Sequence, residues 1–148
     1  MSRFEQQEWD LRKLVKNPKN PEFAQQLQVI EKKVRKFEQI KNNLKPTISP
    51  QRFARILHSL EDIAEKISIV GGYASLAYSS DTQSDEATSL LTRMTKLGSE
   101  VENRTLFFDQ WWKKQLDQKN ASRLIKSSGQ LTEFLKHKRL VAKYSLTE

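Results

Sequence analysis

With 148 residues, 36% hydrophobic and 30% charged side chains and a net charge of +8, the chain suffices for one domain with a real core. It has no cysteine, which excludes disulfides, thiolate metal sites and cysteine nucleophiles. Four glycines and four prolines are too few turn-formers for an all-β chain, so helix is expected throughout.

Residues 1–19 read as an arm anchored by Trp9, Leu11 and Leu14, and residues 20–148 as a single helical domain. Asn20-Pro21 starts the first helix: asparagine caps free N–H groups, and proline suits the first position, where its missing donor costs nothing. Phe23, Leu27, Ile30, Val34, Phe37 and Leu44 recur at steps of three, four or seven until Pro46 closes the segment. Ser49-Pro50 repeats the start signal, and Phe53, Ile56, Leu57, Leu60, Ile63, Ala64, Ile67 and Val70 carry a second helix. Gly71-Gly72 interrupts it at roughly 1 kcal/mol per glycine relative to alanine, which implies a kink, a hinge or a close backbone approach.

After a loop at Ser79-Ser80-Asp81-Thr82, Thr82 and Asp85 form a capping-box pattern at the third helix start. Ala87, Leu90, Leu91, Met94, Leu97, Val101 and Leu106 then extend a helix of about 30 residues, from roughly 84 to 118. Residues 121–126 give a short turn of helix, and residues 131–144 a last amphipathic helix after Ser127-Ser128-Gly129. The expected architecture is an all-α antiparallel bundle of three to five helices, including long helical hairpins.

No apolar run approaches the roughly 20 residues that cross a bilayer, and no signal-peptide pattern opens the chain, so no membrane partner and a cytoplasmic location are expected. Residues 1–45 carry eleven basic and six acidic side chains, residues 46–118 eight and ten, and residues 119–148 seven and two. The basic excess thus sits at the two ends. Lys32-Lys33, Arg35-Lys36 and Lys136-His137-Lys138-Arg139 are its clusters. Nucleic-acid readers interleave such charge with exposed aromatics or present a known module; neither is present, and hydrated helix faces account for the charge more simply.

Catalytic patterns are missing. His58 and His137 do not form His-Glu-x-x-His, and no Gly-x-Ser-x-Gly elbow or phosphate loop occurs. His58, Asp62 and Glu65 share a helix face with Glu61 nearby, but a solvated acidic face explains them better than a metal site. No catalytic, cofactor-binding or metal residue is assigned. Phe107 with Trp111 and Phe108 with Trp112, each four apart, make an apolar arc wider than one helix seam. Either the arc is buried against two or more neighbouring helices, or part of it contacts a second domain or another copy of the chain.

The order of several short motifs resembles the N-terminal helical region of the oligoendopeptidase F family, thimet-oligopeptidase-like zinc metallopeptidases. The matching stretches are Trp9-Asp10-Leu11, Pro21-Glu22-Phe23, Tyr73-Ala74-Ser75-Leu76, Ser80-Asp81-Thr82, Asp85-Glu86-Ala87 and Phe107-Phe108. The resemblance covers nearly all of residues 9–140. It implies a helical wall or lid of a channel for short peptides, whose zinc and catalytic residues belong to a downstream catalytic domain. No zinc ligand or catalytic glutamate carries over to these 148 residues. The partners it implies are that catalytic domain and peptides, with self-association through an apolar helix face as a further option. The alternative is a free-standing basic helical module that binds nucleic acid or a protein.

Overall fold

A computed structural model, which describes residues 10–144, resolves the chain into five α-helices joined by short loops and 3-10 turns. They are α1 (Pro21–Glu38), α2 (Pro50–Ser80), α3 (Asp85–Gln110), α4 (Gln118–Ile125) and α5 (Thr132–Leu140). Among the described residues there is no strand, so the fold is all-α as the turn-former count requires. No helix is long and apolar enough to cross a membrane among those residues.

Proline opens α1 and α2 at their first positions, where no N–H is needed. The caps differ in part from expectation. Ser49 caps α2 by accepting from the Arg52 N–H at 3.3 Å. The Asn20 side chain makes no cap bond; only its main-chain carbonyl accepts from the Phe23 N–H, at 3.0 Å. At α3 the cap is Ser84 rather than Thr82, its hydroxyl accepting from the Ala87 N–H at 3.2 Å. Asp81 explains the shift, because its side chain accepts from the Gln83 N–H at 3.0 Å and holds residues 81–83 in a turn. α1 ends before Leu44, which lies beyond a 3-10 turn (Lys41–Asn43) yet still packs on the core half-buried.

Ring contacts give the directions of the helices. Phe37 of α1 meets Phe107 and Phe108 of α3, and Lys19 before α1 pairs with Glu86 at the start of α3, so α1 and α3 run parallel. Phe53 at the start of α2 meets Phe108, Trp111 and Trp112 at the far end of α3, so α2 runs antiparallel to both. Phe23, Ile30, Val34, Ile63, Val70, Met94 and Val101 fill the space between the three helices. Trp9 lies outside the described residues. Within the expected arm, the buried anchor is Val15, 3% exposed, whereas Leu14 is 36% exposed.

Gly71 and Gly72 lie inside an unbroken α2. A Cβ added at either would meet nothing within 4 Å, so a close backbone approach is not why they are glycines. The third helix also departs from expectation, since α3 stops at Gln110 and Trp111–Gln115 continues as a π turn. Its closing bond runs from the Leu116 N–H to the Trp111 carbonyl at 2.9 Å. Smaller rotation per residue in the wider turn keeps the consecutive Trp111 and Trp112 both on the inner side.

Beyond that turn α4 and α5 fold across the end of the bundle. Leu124, Leu135, Ala121 and Trp112 are all 0% exposed. Trp112 donates its ring N–H to the Leu135 carbonyl at 3.1 Å. Arg139 donates to the Trp112 and Leu116 carbonyls at 2.6 and 2.9 Å, and Arg123 donates to the Pro46 and Ile48 carbonyls at 3.0 and 2.8 Å. Both cations thus tie the cap to backbone that the helices cannot bond themselves.

Two stability measurements check this account. Trp112→Phe removes the donor to Leu135 and part of a buried ring system, so urea unfolding is expected to lose about 1–3 kcal/mol; a change below a few tenths would contradict it. Gly71→Ala and Gly72→Ala are each expected to stabilise by roughly 1 kcal/mol, because helix propensity rises and no clash is introduced. Destabilisation by either would restore a conformational need for glycine there.

Candidate functional site

Along α1, Gln28, Lys32 and Arg35 follow one another at steps of four and three on a face beside the buried stripe. That face and Arg93 of α3 border an open groove of about 470 Å³ whose apolar lining includes Ala24 and Leu27. Glu31 lines it as well. This concavity brings cationic side chains of two helices together.

The single carboxylate of the groove is already engaged. Arg104, on α3, donates to Glu31 at 2.6 Å and to both oxygens of Glu38 at 2.8 and 2.7 Å. Arg35 donates to Glu31 at 2.6 Å. These guanidiniums hold the Glu31 carboxyl below the ordinary glutamate value, Arg104 contributing most, and Arg104 does the same for Glu38. In return Glu38 first, then Glu31, raise the Arg104 pKa. Lys32 and Arg93 make no ion pair or hydrogen bond among the described residues. Positive charge is therefore left over at the groove.

The residues singled out in the sequence are distributed differently. Phe108, Trp111 and Trp112 are 3%, 4% and 0% exposed, and Phe107 rests half-buried on Phe37 with ring centroids 5.5 Å apart. Phe108, Trp111 and Trp112 are core packing against α1, α2 and the cap, and of the four rings Phe107 alone keeps an exposed part. The exposed large apolar side chains lie elsewhere, including Leu106 on α3 and Phe134 and Leu140 on α5. Gly71 and Gly72 are not among the residues lining the groove.

His58 pairs with Glu61 at 3.0 Å, while Asp62 turns to Lys33 at 2.6 Å and Lys66 at 3.3 Å. Lys33 is the main cause of a lowered Asp62 pKa. No three His, Asp or Glu side chains converge to hold a metal among the described residues. The basic clusters also split. Lys33 faces α2 while Lys32 and Arg35 face the groove. In the second cluster Lys136 pairs with Glu133, Lys138 with Asp109, and Arg139 with main-chain carbonyls. Burial pushes the Asp109 carboxyl up, but Lys113 and Lys138 outweigh it and hold it low.

Arg93 and Arg104 carry no signal of their own in the sequence, being single cations on a polar helix. The available clue to Arg104 was Glu31 and Glu38, seven apart and hence on one face of α1. No protein-family model, no curated protein and no solved structure matches the chain.

The pairing of Arg104 with Glu31 and Glu38 makes stability depend on pH. Glu31 and Glu38 have folded pKa values below their ordinary 4.5, so the folded state binds fewer protons in acid than the unfolded one. Their contribution is complete above that range and disappears as pH falls through it towards the depressed folded values. Both carboxylates are over a third exposed, which limits each pair to about 0.5–1 kcal/mol. Arg104→Ala is expected to lower stability modestly at neutral pH and to flatten its decline between about pH 5 and 3. Superimposable acid profiles for variant and parent would rule out this role.

Proposed function

We propose that this chain is a non-catalytic helical wall of a peptide channel, belonging with a zinc oligopeptidase of the oligoendopeptidase F type. The observation that carries the reading is the ordered set of motifs. Pro21-Glu22-Phe23 opens α1, Tyr73-Ala74-Ser75-Leu76 lies in the second half of α2, and Asp81-Thr82 makes the hairpin turn. Asp85-Glu86-Ala87 forms the first turn of α3, and Phe107-Phe108 closes on α1 at its end. These five short matches fall at two helix starts, inside α2, at the hairpin turn and near the end of α3.

Surface chemistry supports the same reading. A long hairpin of 31 and 26 residues offers an extended flank, and an open groove with an aliphatic lining suits a peptide main chain. Phe134, Leu140 and Leu106 supply exposed apolar area for docking on a catalytic domain. In this reading zinc, its ligands and the catalytic glutamate reside in that other domain, and no step of the reaction falls to this chain.

The reading frame beyond codon 148 gives the test. An in-frame His-Glu-x-x-His is the expected finding, and a stop codon directly after Glu148 would count against the proposal. The purified chain is expected to leave a fluorogenic peptide uncut with or without zinc; turnover that survives chelation would overturn its passive role. Salt-sensitive retention on nucleic acid, lost between about 50 and 200 mM salt, would instead favour a free-standing basic module.

A further inference from the structure

We propose that the α1–α3 groove binds acidic peptide segments, with Lys32, Arg35 and Arg93 as the carboxylate-binding side chains. This deepens the channel-wall reading by naming a substrate class, and it rests on that reading for preferring peptides to other anions.

Charge complementarity carries the assignment. Three cations border the groove against one carboxylate, Glu31, and that carboxylate is shared between Arg35 and Arg104. Lys32 and Arg93 have no partner to surrender among the described residues, so an incoming carboxylate displaces no existing ion pair there. Arg35 retains donors beyond the Nε that Glu31 occupies, and a guanidinium fork suits carboxylate oxygens.

Spacing favours an extended chain. Gln28, Lys32 and Arg35 advance along α1 by about 6 and 4.5 Å at 1.5 Å per residue. Same-side residues of an extended peptide repeat every 6–7 Å or so, and long lysine and arginine side chains absorb the difference. Ala24 and Leu27 offer aliphatic surface to the peptide's methylenes, and Gln28 an amide to its main chain. None of the residues lining the groove is aromatic, so the stacking platforms on which single-stranded nucleic acids rest are missing. That contrast favours a peptide over an oligonucleotide.

Fluorescence anisotropy on the full chain tests the assignment with a labelled peptide of alternating glutamate and alanine. Saturable binding is expected, weakened as salt rises from about 0.05 to 0.5 M, because screening shortens the reach of exposed charges. The corresponding lysine–alanine peptide is expected not to bind. The double substitution K32E with R93E is expected to weaken binding about tenfold or more, since it replaces two attractions by repulsions at the rim. Circular dichroism should show unchanged helix content; if the double variant loses helix, R93Q alone serves and is expected to weaken binding about threefold. K136E, on α5 and away from the groove, should leave affinity unchanged.

Absence of saturable binding, equal affinity for the two peptides, or affinity untouched by the rim substitutions would each overturn the assignment. So would tighter binding of a single-stranded oligonucleotide with the same dependence on Lys32 and Arg93. These results leave the channel-wall reading standing, because that one falls on the downstream reading frame and on turnover, not on peptide charge.

Discussion

Where α1 ends, α2 begins and α3 gives way to its π turn, six aromatic rings share one contact network. Phe53 stacks on Trp112 with centroids 5.2 Å apart, Phe108 bridges Phe37 and Phe53, and Trp111 closes the group. Each such pair adds about 0.5–1.5 kcal/mol beyond its area burial. The network also determines position, because rings contributed by three helices fix their mutual register at one end. The α4–α5 cap then completes it, giving the Trp112 N–H its acceptor and bonding the carbonyls around the π turn through Arg139. Remove that cap and Trp112 would face water.

Most of the architecture was legible because its cause is periodic. Phe23, Ile30, Val34 and Phe37 return to one side of a helix whatever lies opposite, and proline after a polar residue marks two of the starts. What escaped the sequence has non-local causes. Ser84 rather than Thr82 caps α3 because of a turn built by Asp81, and both residues are chemically suitable caps. The aromatic arc was ambiguous because width alone does not say whether a neighbour is supplied by the same chain. The return of α4 and α5 across Trp112 supplies one such neighbour from the same chain. The π turn has no sequence signature here and reveals itself through the Leu116 bond to Trp111.

The candidate groove was barely legible. Lys32-Lys33 and Arg35-Lys36 were visible as charge, but a linear cluster does not show that α1 turns Lys33 to Asp62 while Lys32 pairs with none of the described residues. Arg93 enters from another helix, 58 positions beyond Arg35 in a chain whose polar helix faces abound in cations. The proposed site therefore rests on the pairing left undone rather than on charge counted along the chain.

The parallel course of α1 and α3 has an electrical result. Lys16 and Lys19, from the segment before α1, lie beside Glu22 in the first turn of α1 and Glu86 in the first turn of α3, so these cations meet acids at that end of the bundle. At the other pole lie Lys41 and Lys45, beyond the end of α1, and Lys119, Arg123 and Lys126 on or just after α4, where Arg123 binds the Pro46 and Ile48 carbonyls. Folding thereby draws the basic residues of 41–45 and 119–126, far apart in the sequence, to the same end of the bundle.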